Sequence, residues 1–150
     1  MRYLDLDLMR DLCHVFAVAH FNKKDDPIAP FETCNMGLLD SALNSSRQTF
    51  GGVDLYKSLE EKAAILYYSL VKNHAFQNGN KRIATATLLI FLDINGFWLD
   101  VSPVELADWT IKVAVSIHKD EIIFEIIELL QANLKTVAQH GNVKWTTRLI

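Results

Sequence analysis

Along the 150-residue chain, apolar positions recur mostly at helical spacing. Leu8, Leu12, Val15, Phe16 and Ala19 fall three or four apart and predict an amphipathic helix over Leu8 to His20. Phe21 to Met36 loses that period, carries Lys23, Lys24, Asp25, Asp26, Pro27 and Pro30, and reads as a loop. Gly37 to Asn44 predicts a short helix with Leu38, Leu39, Ala42 and Leu43 on one side. Ser58 followed by Glu61 is a capping box, opening a helix to about Asn73 with Leu59, Ala63, Leu66 and Leu70 on its inner face. After a break at Gln77 to Gly79, Lys81 to Ile94 is apolar almost all round, which puts that helix at the centre of the fold. Asn95-Gly96 ends it. Ser102-Pro103 with Glu105 starts another helix, expected to bury Leu106, Trp109, Val113 and Ile117. A last helix, about Asp120 to Leu134, turns Ile122, Ile123, Ile126, Ile127 and Leu130 inward.

Ser45 to Lys57 breaks the pattern. Gly51-Gly52 between Thr49, Phe50 and Val53, Leu55, Tyr56 predicts a small hairpin, marginal and mobile on its own. With no internal repeat, the expectation is an all-α bundle with one small β-hairpin, a single domain over residues 1–150.

Composition adds bounds. Half the residues are hydrophobic and 22% charged, the balance of a folding chain. With 15 Lys+Arg against 18 Asp+Glu, the net charge of -3 argues against a surface that grips nucleic acid throughout, though not against a local basic pocket. Cys13 and Cys34 lie outside any CxxC pattern and are expected as free thiols. MRYLDLDLMR lacks the basic-then-apolar order of a secretory signal, and the apolar stretch around Leu88 to Leu92 is about half a membrane span. The expectation is a soluble cytoplasmic protein with no membrane segment. Lys135, Lys144 and Arg148 make the tail after Glu128 basic.

The chemistry concentrates in His74-Ala75-Phe76-Gln77-Asn78-Gly79-Asn80-Lys81-Arg82, which joins two predicted helices. Lys81 and Arg82 open the second helix, where the dipole disfavours each cation by roughly 0.3–1 kcal/mol. An anion bound in the turn would reverse that penalty, with backbone amides, Gly79 and both cations converging on it. Phosphate suits the set: Arg82 can bind it as a fork and Lys81 as a point charge. His74, just upstream, can take a proton at neutral pH. Phe76 would anchor the turn in the core. The plainer alternative is a solvated connecting turn with a helix-ending His. A DNA-reading helix-turn-helix is disfavoured because the helix after Arg82 is too apolar for a groove. GxxxxGK[ST] is absent, and His14, His20, His74, His118 and His140 lack metal-ligand spacing.

HAFQNGNKR resembles the Fic/Doc signature H-x-F-x-[D/E/N]-x-N-[G/K]-R, and Lys81 resembles the Doc branch. Gly37 to Gly52 resembles the segment leading to that family's flap, and Leu59 to Phe97 its helix–motif–helix heart. The resemblance implies the toxin of a bacterial toxin–antitoxin pair, a kinase using ATP and Mg²⁺ to phosphorylate a threonine of elongation factor Tu and block translation. It implies an antitoxin partner and no direct nucleic-acid binding. By the same resemblance His74 is the general base, Gly79, Asn80, Lys81 and Arg82 hold the nucleotide phosphates, and Asn78 stands at the metal position. Arg47, Gln48, Thr49, Phe50, Gly51, Gly52 and Val53 form the target flap, and Phe76 is the anchor. Two alternatives stay open: AMP transfer to a protein hydroxyl, as in the Fic branch, or a binding protein whose site Asn78 has weakened. Asn78 replaces the usual carboxylate and brings no charge. No inhibitory [S/T]-x-x-x-E-[G/N] helix is present in the sequence.

Overall fold

A computed structural model describes residues 1–137; Lys144, Arg148 and His140 lie outside the described residues. The described chain is all-α with two small antiparallel sheets. Helix α1 runs through three continuous segments, Leu6–Leu8, a π-helical Met9–His14, and Val15–Phe21. Asp5 caps it by accepting from Leu8 N. Then come α2 (Met36–Asn44), strands β1 (Thr49–Phe50) and β2 (Val53–Asp54), α3 (Leu59–Asn73), α4 (Asn80–Ile94), β3 (Phe97–Leu99), α5 (Pro103–Val115), α6 (Lys119–Asn133) and β4 (Leu134–Thr136).

Helix α4 is central, as its apolar composition requires. Ile83, Ala84, Ala86, Leu88, Leu89, Phe91 and Leu92 are all buried, and it packs against α3, α1 and α5. Ser102 and Glu105 make a full capping box on α5. At α3 only half the box forms: Ser58 Oγ accepts from Glu61 N at 3.1 Å, but Glu61 reaches Lys57 N instead of Ser58 N.

Two expectations are corrected. The inner face of α1 is Met9, Cys13 and Ala17, all fully buried, while Leu8, Leu12 and Val15 are exposed. Small side chains face α4 because they let the two helices approach, and the π-helical segment shifts the face by packing an extra residue into the turn. Ile117 is not core; it lies beyond the end of α5 and is 86% exposed. The last helix forms as expected, Lys119–Asn133, and residues 134–136 then make a strand pairing with β3, Leu99 opposite Leu134. Cys13 and Cys34 are unpaired, and burial pushes the Cys13 thiol up to about 12.

The predicted hairpin forms, with Thr49 opposite Asp54 and Phe50 opposite Val53. Gly51 and Gly52 both take positive φ, 58° and 78°, as a two-residue turn of this hand demands. Phe50 at its tip is 83% exposed. The hairpin base is tied by Lys62 of α3, a lysine only 2% exposed. Its ammonium donates to Asp54 Oδ2 at 3.2 Å, to Ser46 O at 3.5 Å and to Tyr56 O.

Candidate active site

The break between α3 and α4 is closed by one side chain. Asn80 Oδ1 accepts from Phe76 N at 3.0 Å and Nδ2 donates to Phe76 O at 2.7 Å, locking residues 76–80 into a turn. Phe76 is buried and stacks on His14, with ring centroids 5.7 Å apart. His14 Nε2 donates to Ala29 O at 2.8 Å, the carbonyl being able only to accept. Ala29 N donates to Asn78 O at 3.1 Å. The loop of residues 22–30 is thereby clamped onto the motif, although the two are about fifty positions apart in sequence.

Any side chain at position 79 would be strained in this geometry. Its φ is +89°, and an added Cβ would meet Ile28 Cγ1 at 3.0 Å and Ile28 Cα at 3.2 Å. Gly79 is also the N-cap of α4, with no side-chain cap bond. The first amides of α4 therefore have neither an intrahelical acceptor nor a capping side chain.

That helix end opens into a cavity of about 380 Å³. Among the described residues, Lys23, Lys81 and Arg82 bring three cations to its lining, and Asp26 is the one carboxylate there. Phe21, Pro103, Leu106, Ala107 and Ile111 supply apolar walls; Asn78, Gly79, Asn80, Thr85 and Thr110 complete the lining. Thr110 Oγ1 lies 3.1 Å from Thr85 Oγ1 and bonds the hydroxyl of Tyr67, whose pKa burial pushes up to about 12. One end of the cavity is thus cationic, and the α5 side is apolar with neutral hydroxyls.

Arg82 is less free than its sequence position suggests. It donates to Asp26 O at 2.7 Å and Phe21 O at 3.3 Å, and lies 3.5 Å from Asp26 Oδ2. Lys81 is exposed and makes no ion pair among the described residues. Asn78 Nδ2 donates to Asp26 Oδ1 at 2.6 Å and Pro27 O at 2.7 Å. The Asn78 hydrogen bond, then the cations Arg82, Lys23 and Lys81, hold the Asp26 carboxyl below its ordinary range against the opposing effect of desolvation.

His74 ends α3 in the left-handed conformation at φ 50° and is exposed. Its Nδ1 lies 3.5 Å from Asn80 Nδ2, so it stands beside the turn without lining the cavity. The structure thus gathers Asn78, Gly79, Asn80, Lys81 and Arg82 at one cavity, with His74 at its edge and Phe76 beneath. The side chain of Asn80 is committed to the turn, leaving its backbone on the site. Gln48, Thr49, Phe50, Gly51, Gly52 and Val53 do not line the cavity. Arg47 is part of the hairpin's base: it donates to Leu4 O at 2.7 Å and covers the Tyr3 ring. Nothing in the motif points to Asp26, Lys23, Thr85 or the α5 wall; of that wall only Leu106 belongs to the stripe that helical spacing picks out.

A profile of the Fic/DOC family matches residues 3–92, more than half of the chain. The chain belongs to the Fic/DOC family. The matched region ends within α4 and so contains the loop clamp, the hairpin, the motif and the uncapped helix end. This Fic/DOC chain is also 51% identical over 63 residues to Toxin Doc of Mycolicibacterium smegmatis. That match covers 42% of the chain and 48% of the curated relative, so it spans about half of that protein's length. Among the described residues no helix is long and apolar enough to cross a membrane.

Proposed function

We propose that this Fic/DOC chain is the toxin of a toxin–antitoxin pair, a Doc-like kinase that transfers the γ-phosphate of ATP to a threonine hydroxyl of elongation factor Tu. The observation that carries the proposal is the cavity at the uncapped start of α4, with Lys81 and Arg82 at its rim and exposed His74 beside it. Oriented amides and two cations suit a polyphosphate. The apolar side formed by Leu106, Ala107 and Ile111 suits a nucleobase.

In this reading Lys81 and the amides of α4 orient the phosphates and neutralise developing charge. His74 takes the proton of the target hydroxyl on the ring nitrogen that is unprotonated in the neutral imidazole. The hydroxyl oxygen bonds to the γ-phosphorus as the bond to the β–γ bridging oxygen breaks, and ADP leaves. The hairpin aligns the target by pairing its exposed backbone edge with an extended segment. The antitoxin is a separate protein, and the reaction belongs to the cytoplasm, where ATP and translation factors are found.

No group of three or more His, Cys, Asp or Glu among the described residues is arranged to hold a metal ion alone. The donor chemistry nevertheless fits Mg²⁺ arriving with ATP, because that ion takes most of its ligands from phosphate and water. Asn78 Oδ1 is a suitable neutral oxygen, since its amide bonds run through Nδ2. Bound Mg²⁺ would supply charge neutralisation on the phosphates.

Labelled ATP tests the reaction. Transfer of γ-label to elongation factor Tu supports the kinase; transfer of α-label shows AMP transfer instead. Nucleotide binding with neither transfer shows a binding protein.

A further inference from the structure

Asp26 stands where an anion site would be expected to exclude acids. Among the described residues it is the single carboxylate lining a cavity that holds Lys23, Lys81 and Arg82. Its position is built. A turn closes from Asp26 N to Lys23 O at 3.2 Å, and Arg82 grips its carbonyl at 2.7 Å. Asn78 Nδ2 orients Oδ1 at 2.6 Å, and both partners of that nitrogen are acceptors, so the amide's orientation is settled. Arg82 does not depend on the Asp26 side chain. It already holds two backbone carbonyls, and the carboxylate lies farther off at 3.5 Å. The Asp26 side chain is 56% exposed, with Oδ2 facing Arg82 Nη2 across 3.5 Å.

A carboxylate beside a polyphosphate repels it unless a cation comes between them. A divalent cation also binds better to a carboxylate than to an amide. Resting on the nucleotide-binding reading above, we propose that Asp26, with Asn78 Oδ1, holds the divalent cation that accompanies ATP and makes the site selective for the metal-chelated nucleotide. The charge of the metal site then lies on the 22–30 loop and residue 78 is its orienting amide. Asn78→Asp alone would set two carboxylates within hydrogen-bond distance, where like charges repel.

Titration calorimetry of ATP in EDTA and in excess Mg²⁺ tests this on the full chain, on Asp26→Asn and on Asp26→Asn combined with Asn78→Asp. The full chain should prefer Mg²⁺-ATP. Asp26→Asn should weaken Mg²⁺-ATP by about tenfold or more, the loss of one contact to a charged group. Binding of metal-free ATP should stay equal or tighten in that variant. The combined variant should regain the Mg²⁺ preference, because the charge returns to the neighbouring position. Asp26→Asn with an unchanged Mg²⁺ preference, or with equal weakening in both buffers, would overturn the assignment; the second result would make Asp26 a scaffold for the loop. A full chain that binds ATP in neither buffer would remove the nucleotide reading itself.

Discussion

Gly79→Ala is the sharpest probe of the contact between the 22–30 loop and the motif. At φ +89° a Cβ strains the backbone by roughly 1–2 kcal/mol. The same atom meets Ile28 at 3.0–3.2 Å, and one of the atoms met is backbone, so a rotamer change cannot clear it. Overpacking of this kind costs about 1–3 kcal/mol. Reduced freedom of the unfolded chain returns about 0.4–1 kcal/mol. The net loss is about 1–4.6 kcal/mol, or a Tm drop of roughly 2–18 °C for a chain of this size. Because the loop must retreat, ATP affinity should fall alongside stability. Thermal denaturation followed by circular dichroism reads the first and titration calorimetry the second. Ile28→Ala in the same chain should recover only part of the loss, since Ile28 Cα and Cβ remain. A Gly79→Ala protein melting within about 1 °C of the parent would refute the close approach and the strain together.

His74→Ala should lower target modification by about 10²-fold or more while leaving Tm nearly unchanged, because the exposed ring has only a 3.5 Å contact with Asn80; a variant retaining full transfer removes His74 from the chemistry. Lys62→Met should cost roughly 2–3 kcal/mol in urea denaturation and speed proteolysis in the hairpin, since the buried ammonium ties Asp54, Ser46 and Tyr56; equal stability and equal cleavage would show that the hairpin is held otherwise. Asp26 is depressed chiefly by the Asn78 hydrogen bond. Its contribution to stability is therefore present above its unfolded pKa of about 3.9 and lost as pH falls through the lower folded value. Asp26→Asn should flatten the acid limb of the stability profile below about pH 4, and an unaltered limb would contradict the shift.

The local determinants were readable from the sequence wherever the physics is local. The caps Ser58 and Ser102, the Gly51-Gly52 turn and the apolar run of α4 act within a few residues, and each produced the expected element. The cationic turn was readable for the same reason, since Lys81 and Arg82 oppose the helix dipole. Long-range pairings were not readable. Nothing around Phe97 names Thr136 as its partner, and nothing around Asp26 names Asn78. In α1 two apolar stripes lie side by side, and the bulkier one, Leu8, Leu12 and Val15, gives the stronger periodic signal. Packing selected Cys13 and Ala17 because close helix contact rewards small residues, a preference set by the neighbour and not by α1.

A cationic cavity with an adjacent histidine is proposed to transfer phosphate from ATP to a protein hydroxyl. Mass spectrometry of intact elongation factor Tu, incubated with this protein, ATP and Mg²⁺, measures that transfer directly. The account predicts a mass gain of one phosphate on a threonine, absent when His74→Ala replaces the parent. A gain of one AMP, or no gain under conditions where ATP binding is saturated, would contradict it.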